Sequence, residues 1–182
     1  MTSFANRILL AAKLNSDLYE EVEADRTAMG QAMGVVVLAS VAAGIGSMQQ
    51  VGIGLGGLLM GTLAALLGWA VWAALIYIIG TRMLPEPQTK ADYGELLRTI
   101  GFASAPGLIR VLGIIPGLMG IVFLAAGIWM LAAAVIAVRQ ALDYRSTGRA
   151  VVVCLIGWLA QALIMAMIFA ISGVPLPENV AG

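Results

Sequence analysis

Histidine is absent from these 182 residues and cysteine occurs once, at Cys154. Without histidine the usual zinc and transition-metal ligand sets cannot be assembled, and no imidazole base exists to activate a nucleophile. One cysteine allows no disulfide within the chain, and its place in an apolar run makes Cys154 a small buried residue. Charge is scarce too: 11% of residues are charged, ten basic and ten acidic, for a net charge of zero. No basic tract with interleaved aromatics is present, so nucleic acid is not an expected partner. Ser40, Ser104 and Ser172 lack a base, and no lysine lies inside an apolar run to replace one. These absences point to a protein with no catalytic residues, no metal site and no cofactor.

What the chain has in quantity is apolar length. It is 61% hydrophobic with a mean hydropathy of +0.97, well outside the composition of soluble domains. From Thr27 to Thr81 there is no charged residue. One bilayer crossing takes about 20 apolar residues, so a run of this length, with a polar waist at residues 47–52, folds back as a hairpin. The fold class expected is all-α: five transmembrane helices at about 28–48, 55–80, 96–115, 117–138 and 150–172, preceded by an amino-terminal amphipathic interfacial helix. Residues 1–26 form the cytoplasmic segment, 27–172 the membrane domain and 173–182 an extracytoplasmic, proline-rich tail. GIGLGG at 52–57 lacks the lysine and preceding strand of a phosphate loop and reads as a turn.

At 100° per residue Phe4, Ile8, Ala11, Leu14, Leu18 and Val22 share one face, which predicts one helix lying on the membrane surface. It ends in Glu20, Glu21, Glu23 and Asp25. That group fits a solvated helix end, a docking patch for a basic partner, or a weak cation site. Gly30 and Gly34 make a GxxxG, and Gly57, Gly61 and Ala65 a longer ridge. In lipid, small residues let helix backbones approach, so these are expected packing surfaces, within the chain or between copies.

The third crossing is the ambiguous one. Eleven uncharged residues separate Arg98 from Arg110, and Pro106 interrupts them, so the segment reads as a broken crossing or a re-entrant loop. Basic residues favour the crossing. With five spans, Arg7, Lys13, Arg26, Arg82, Lys90, Arg98, Arg139, Arg145 and Arg149 lie on one side and Arg110 alone on the other; with four the split is six to three. Cytoplasmic loops are enriched in Lys and Arg, so the expectation is a multi-pass protein of the cell inner (cytoplasmic) membrane, amino terminus in the cytoplasm and carboxyl terminus outside.

Arg110 is the candidate of most interest, because a charge within a span faces a cavity, the bundle interior or a headgroup. Its options are snorkelling to headgroups, contact with an anionic lipid, gating of a cavity, or pairing with backbone carbonyls or with Glu178. Pro106 frees a carbonyl one turn earlier. Gln161, in mid-span, is expected to make an interhelical hydrogen bond. Gln31, Gln49 and Gln50 lie near membrane edges and need no function.

The succession LYEEVEADRTAMGQA, a Gly-rich hairpin, DYGELLRTIGFASAPGLI and IIPGLMGIVFLAAGIWMLAAAVIAVRQALDYRSTGRAVVVCLIGW resembles the prokaryotic branch of the Yip-domain family over about residues 18–172. Its eukaryotic members are Ypt/Rab-interacting membrane proteins. The resemblance implies five spans, a cytoplasmic amino terminus and no catalytic activity. For eukaryotic members it also implies binding of lipid-modified small GTPases. Asp17-Leu18-Tyr19 is similar to the start of a DLYGP-type junction motif, with Glu20-Glu21 standing where Gly-Pro would be. The function expected is a non-enzymatic, partner-binding or membrane-organising scaffold. The alternatives are a structural accessory subunit of a larger membrane complex and a small transporter or channel subunit using Arg110. Expected partners are membrane lipids and other membrane proteins, or further copies of the chain.

Overall fold

Two side-chain caps explain how the amino-terminal segment folds. In the computed structural model, which describes residues 3–51 and 54–172, Ser3 Oγ accepts from the Asn6 amide (3.3 Å) to open α1, Phe4–Ala12. Asn15 Oδ1 accepts from the Leu18 amide (2.9 Å) to open α2, Ser16–Ala24. Between them Leu14 takes a left-handed conformation, φ 60°. The single surface helix expected is thus two helices, because an asparagine side chain serves an orphan amide better as a cap than it serves a helix interior. Their apolar face is covered by protein: Ala11, Leu18, Tyr19 and Val22 pack in one cluster with α3 and α6.

Five helices are long and apolar enough to cross a membrane: Arg26–Gln50, Leu55–Met83, Tyr93–Ile114, Met119–Ala141 and Thr147–Ile168. Within them lie α3 (Met29–Val51), α4 (Leu55–Ile78), α5 (Tyr93–Phe102), α6 (Met119–Ala141) and α7 (Thr147–Ser172). A π-helical turn, Ile79–Met83, closes α4. Asp92 and Glu95 open α5 with a reciprocal capping box, Glu95 N–H to Asp92 Oδ1 at 2.8 Å and Asp92 N–H to Glu95 Oε2 at 2.7 Å. After Phe102 the third span continues as a 3₁₀ segment, Ala105–Ile114. The tighter winding follows from Pro106, which has no amide to give and no room for a carbonyl one α-turn back.

The broken span is the inner one. Of its most apolar stretch 56% is buried, against 17–33% for the other four. Both its 3₁₀ half and α5 lie against α3, and glycine allows the approach. A methyl on Gly46 would overlap the carbonyl of Arg110, and one on Gly101 would sit 2.8 Å from Ala32 Cβ. On the other side α6 presents Ala126, Ala133, Ala134, Ala137 and Ala141, all buried. Outward, Leu59, Leu63 and Leu67 of α4 and Leu155, Leu159 and Leu163 of α7 are exposed, which is the arrangement lipid requires.

Hydrogen bonds set which loops share an end. Thr89 Oγ1 donates to the Leu142 carbonyl (3.0 Å), Gln88 Nε2 to that of Asp143 (3.0 Å) and Tyr144 O–H to that of Leu84 (2.7 Å), while Arg149 Nη1 reaches Pro85 O (2.8 Å). The 84–92 and 142–149 loops therefore meet at one end of the bundle. That requires the third and fourth spans to run down and back, and leaves the 115–118 turn at the opposite end.

Candidate functional site

The bundle has two ends of different character. At the end that carries the amino-terminal arm, Arg7 is 4% exposed and ties three helices together. Its Nε and Nη2 donate to Glu21 Oε1 at 3.2 and 2.8 Å, Nη2 also to Asp25 Oδ2 at 2.8 Å, and Nη1 to Gln31 Oε1 of α3 at 2.9 Å. Burial works against the Arg7 cation, but the two carboxylates outweigh it and hold the proton on more firmly. Asp25 falls to about 2, through its bonds from Thr27 and Arg7. Arg98 of α5, also 4% exposed, donates Nε to the Val22 carbonyl (2.9 Å) and Nη2 to that of Glu23, occupying orphan acceptors at the end of α2.

The four acidic candidates are thereby split. Glu21 and Asp25 grip Arg7, whereas Glu20 and Glu23 line a cavity of about 370 Å³ with Arg139, Gln140, Asp143 and Tyr144. Gln140 Nε2 donates to Glu20 Oε1 (2.6 Å) across its rim. Burial, and then the carboxylates of Glu95, Asp143 and Glu20, push Glu23 up to about 7, against the pull of Arg98. Among the described residues no group of three or more carboxylate or thiol ligands is placed to hold a metal.

At the other end lies Arg110, in the 3₁₀ segment. Its guanidinium stands 5.4 Å from the centre of the Phe123 ring, and its Nε is buried with no hydrogen-bond partner among the described residues. It borders a groove of about 320 Å³ between α3 and α4, lined by Ser40, Gly44, Ser47, Gly57, Gly61 and Ala65 among others. The ridge and the arginine, separate features of the sequence, meet here. Glu178 falls outside the described residues.

The ridges are not where the chain packs on itself most closely. A methyl on Gly30 or Gly61 would meet nothing within 4 Å, and one on Gly34 would touch the Phe4 ring at 3.5 Å. Close approaches fall at other glycines: Gly46, Gly101 and Gly107, where the buried third span meets its neighbours, and Gly44 of α3, where a methyl would overlap Leu58 of the hairpin partner α4. Pro106 is fully buried in that span. Gln161 does not make the bond expected of it. Its Oε1 is buried without a partner among the described residues, and its Nε2 lies against Gly68.

Arg7, Arg98 and Gln31 were missed as organising residues. Arg7 carried a signal, since it falls on the apolar face three residues after Phe4 and four before Ala11. Arg98 carried none, because its acceptors are backbone carbonyls about 75 residues away in the chain.

No curated protein and no solved structure matches the chain. The Yip1 domain matches residues 17–169, from the start of α2 nearly to the end of α7, a stretch that takes in both ends of the bundle. A match over most of the length, together with five apolar helices, shows that the chain belongs to the Yip1 domain family.

Proposed function

We propose that the protein is a non-enzymatic membrane scaffold that binds a protein partner at the arm end of the bundle. The observation that carries this reading is the docked arm. The buried charges Arg7 and Arg98 are used to fasten α1 and α2 to the bundle, and the fastened arm forms one wall of the acidic cavity at Glu20, Glu23 and Asp143. A pre-formed polar recess offers a basic partner segment a site with little ordering left to pay for. The cell inner membrane, with the arm in the cytoplasm, is the setting that fits nine of ten basic residues lying toward that end.

Purification from native membrane in mild detergent tests the reading. A partner recovered at stoichiometric amount from the wild type, and lost from Glu20→Lys, is the expected outcome. Recovery of no stoichiometric partner overturns it. A partner that survives Glu20→Lys indicates the accessory-subunit reading. The groove at Arg110 is the feature that favours a transporter subunit, and flux across liposomes that disappears in Arg110→Ala would establish that reading instead.

A further inference from the structure

We propose that the groove at Arg110 is a binding site for one anionic phospholipid, with the headgroup phosphate on the guanidinium and an acyl chain along Gly57, Gly61 and Ala65. This site lies at the end of the bundle away from the arm and stands independently of the partner proposed there.

Charge supplies the first argument. Every acidic residue described, from Asp17 to Asp25 and then Glu86, Asp92, Glu95 and Asp143, belongs to the arm or to the loops and helix ends at its side of the bundle. Arg110 therefore has no counter-charge among the described residues, yet it lies within a membrane-spanning segment and its Nε is buried and unpaired. None of the described residues can serve that cation, and the anion a bilayer brings to it is a lipid phosphate.

Geometry supplies the second. Arg110 is held by its neighbours, its carbonyl pressed on Gly46 of α3 and its guanidinium over the Phe123 ring. It thus stands within two turns of the 51–55 and 115–118 connections, at headgroup depth for the leaflet at that end. From there the groove runs inward along α3 and α4, past Gly44, Ser47 and Gly61, as far as Ser40 and Ala65. At its inner end Ser40 donates to Thr62 Oγ1 (2.9 Å) and Thr62 to the Leu58 carbonyl (2.9 Å), so these hydroxyls are satisfied and ask nothing of a ligand. A free inorganic anion would leave this inward track empty, whereas a phospholipid fills both parts.

Full-length protein in mild detergent, titrated with phosphatidylglycerol or phosphatidylcholine and read by native mass spectrometry, provides the test. Both lipids offer a phosphate, but choline brings a second cation toward the guanidinium, so the wild type is expected to retain one phosphatidylglycerol about tenfold more tightly than phosphatidylcholine. Arg110→Gln should bring the two lipids to parity. Gly61→Leu, whose new side chain starts in open space and so leaves the fold intact, should weaken retention of both lipids. Equal retention of the two lipids by the wild type, or an unchanged preference in Arg110→Gln, overturns the proposal. Displacement by millimolar inorganic phosphate, with no effect of Gly61→Leu, also overturns it and assigns the site to a free anion. If Arg110→Gln does not fold, as judged by gel filtration, the Gly61→Leu and phosphate arms still decide.

Discussion

A buried cation needs acceptors, and Arg98 finds them for Nε and Nη2 without an ion pair. Its guanidinium sits on the carbonyls that α2 leaves open at its end, where the negative end of the helix dipole lies. Arg98→Met should cost about 2–3 kcal/mol and loosen α2. Hydrogen exchange would show this as faster exchange of the amides of residues 18–24, with α7 unaffected. Glu23 makes a second case at the same spot. With its proton held up to about 7 in the folded protein, against an ordinary 4.5, the native state binds more protons than the unfolded chain between those values. Stability therefore falls as pH rises through that window. Glu23→Gln removes the effect, so its melting temperature in detergent should exceed that of the wild type at pH 8 and match it at pH 4, below the window. A difference independent of pH would show that the carboxyl does not titrate there.

Among the elements, the pairing of α3 with both halves of the third span is the closest contact. The pairing depends on missing side chains. At Gly46 and Gly101 the opposing atoms are backbone or the short side chain of Ala32, which cannot swing aside. Gly46→Ala and Gly101→Ala should each destabilise by about 1–3 kcal/mol through overpacking. Gly30→Ala meets open space within a helix and should instead be neutral or stabilise by about 0.5–1 kcal/mol, since glycine costs a helix that much. Thermal melts of the three variants in one detergent check the contrast. Equal effects would mean that the glycines act through helix propensity alone.

For the whole molecule the firmest consequence is that both polar loops lie on one side. The hydrogen bonds from 86–89 to 142–145 hold only if the Pro106 span passes through the bilayer. Cysteines placed at the exposed positions Lys90 and Ser146 should react with an impermeant maleimide from the same side of the membrane, and one at Gln50 from the other. The native Cys154 is buried and should contribute little background. Labelling of Lys90→Cys and Ser146→Cys from opposite sides would remove the third crossing and the fold with it.

Composition and periodicity alone determined that the chain is helical and lies in the membrane, and they located five apolar segments. Burial in lipid admits few solutions for so long an uncharged run, and this is why that much was legible. Basic residues decided the third crossing for the same kind of reason, because a charge has few places to lie. What only the tertiary structure decided is which residues face each other. Gly30 and Gly61 look like contact residues in sequence, but helix packing depends on the rotation and depth of two helices, which a spacing of four residues does not specify. Arg98 meets carbonyls that every residue possesses, so no pattern of side chains could announce it. Arg110 and the Gly57 ridge became one groove because α3, α4 and the 3₁₀ segment converge there, and that convergence is a property of the packed bundle.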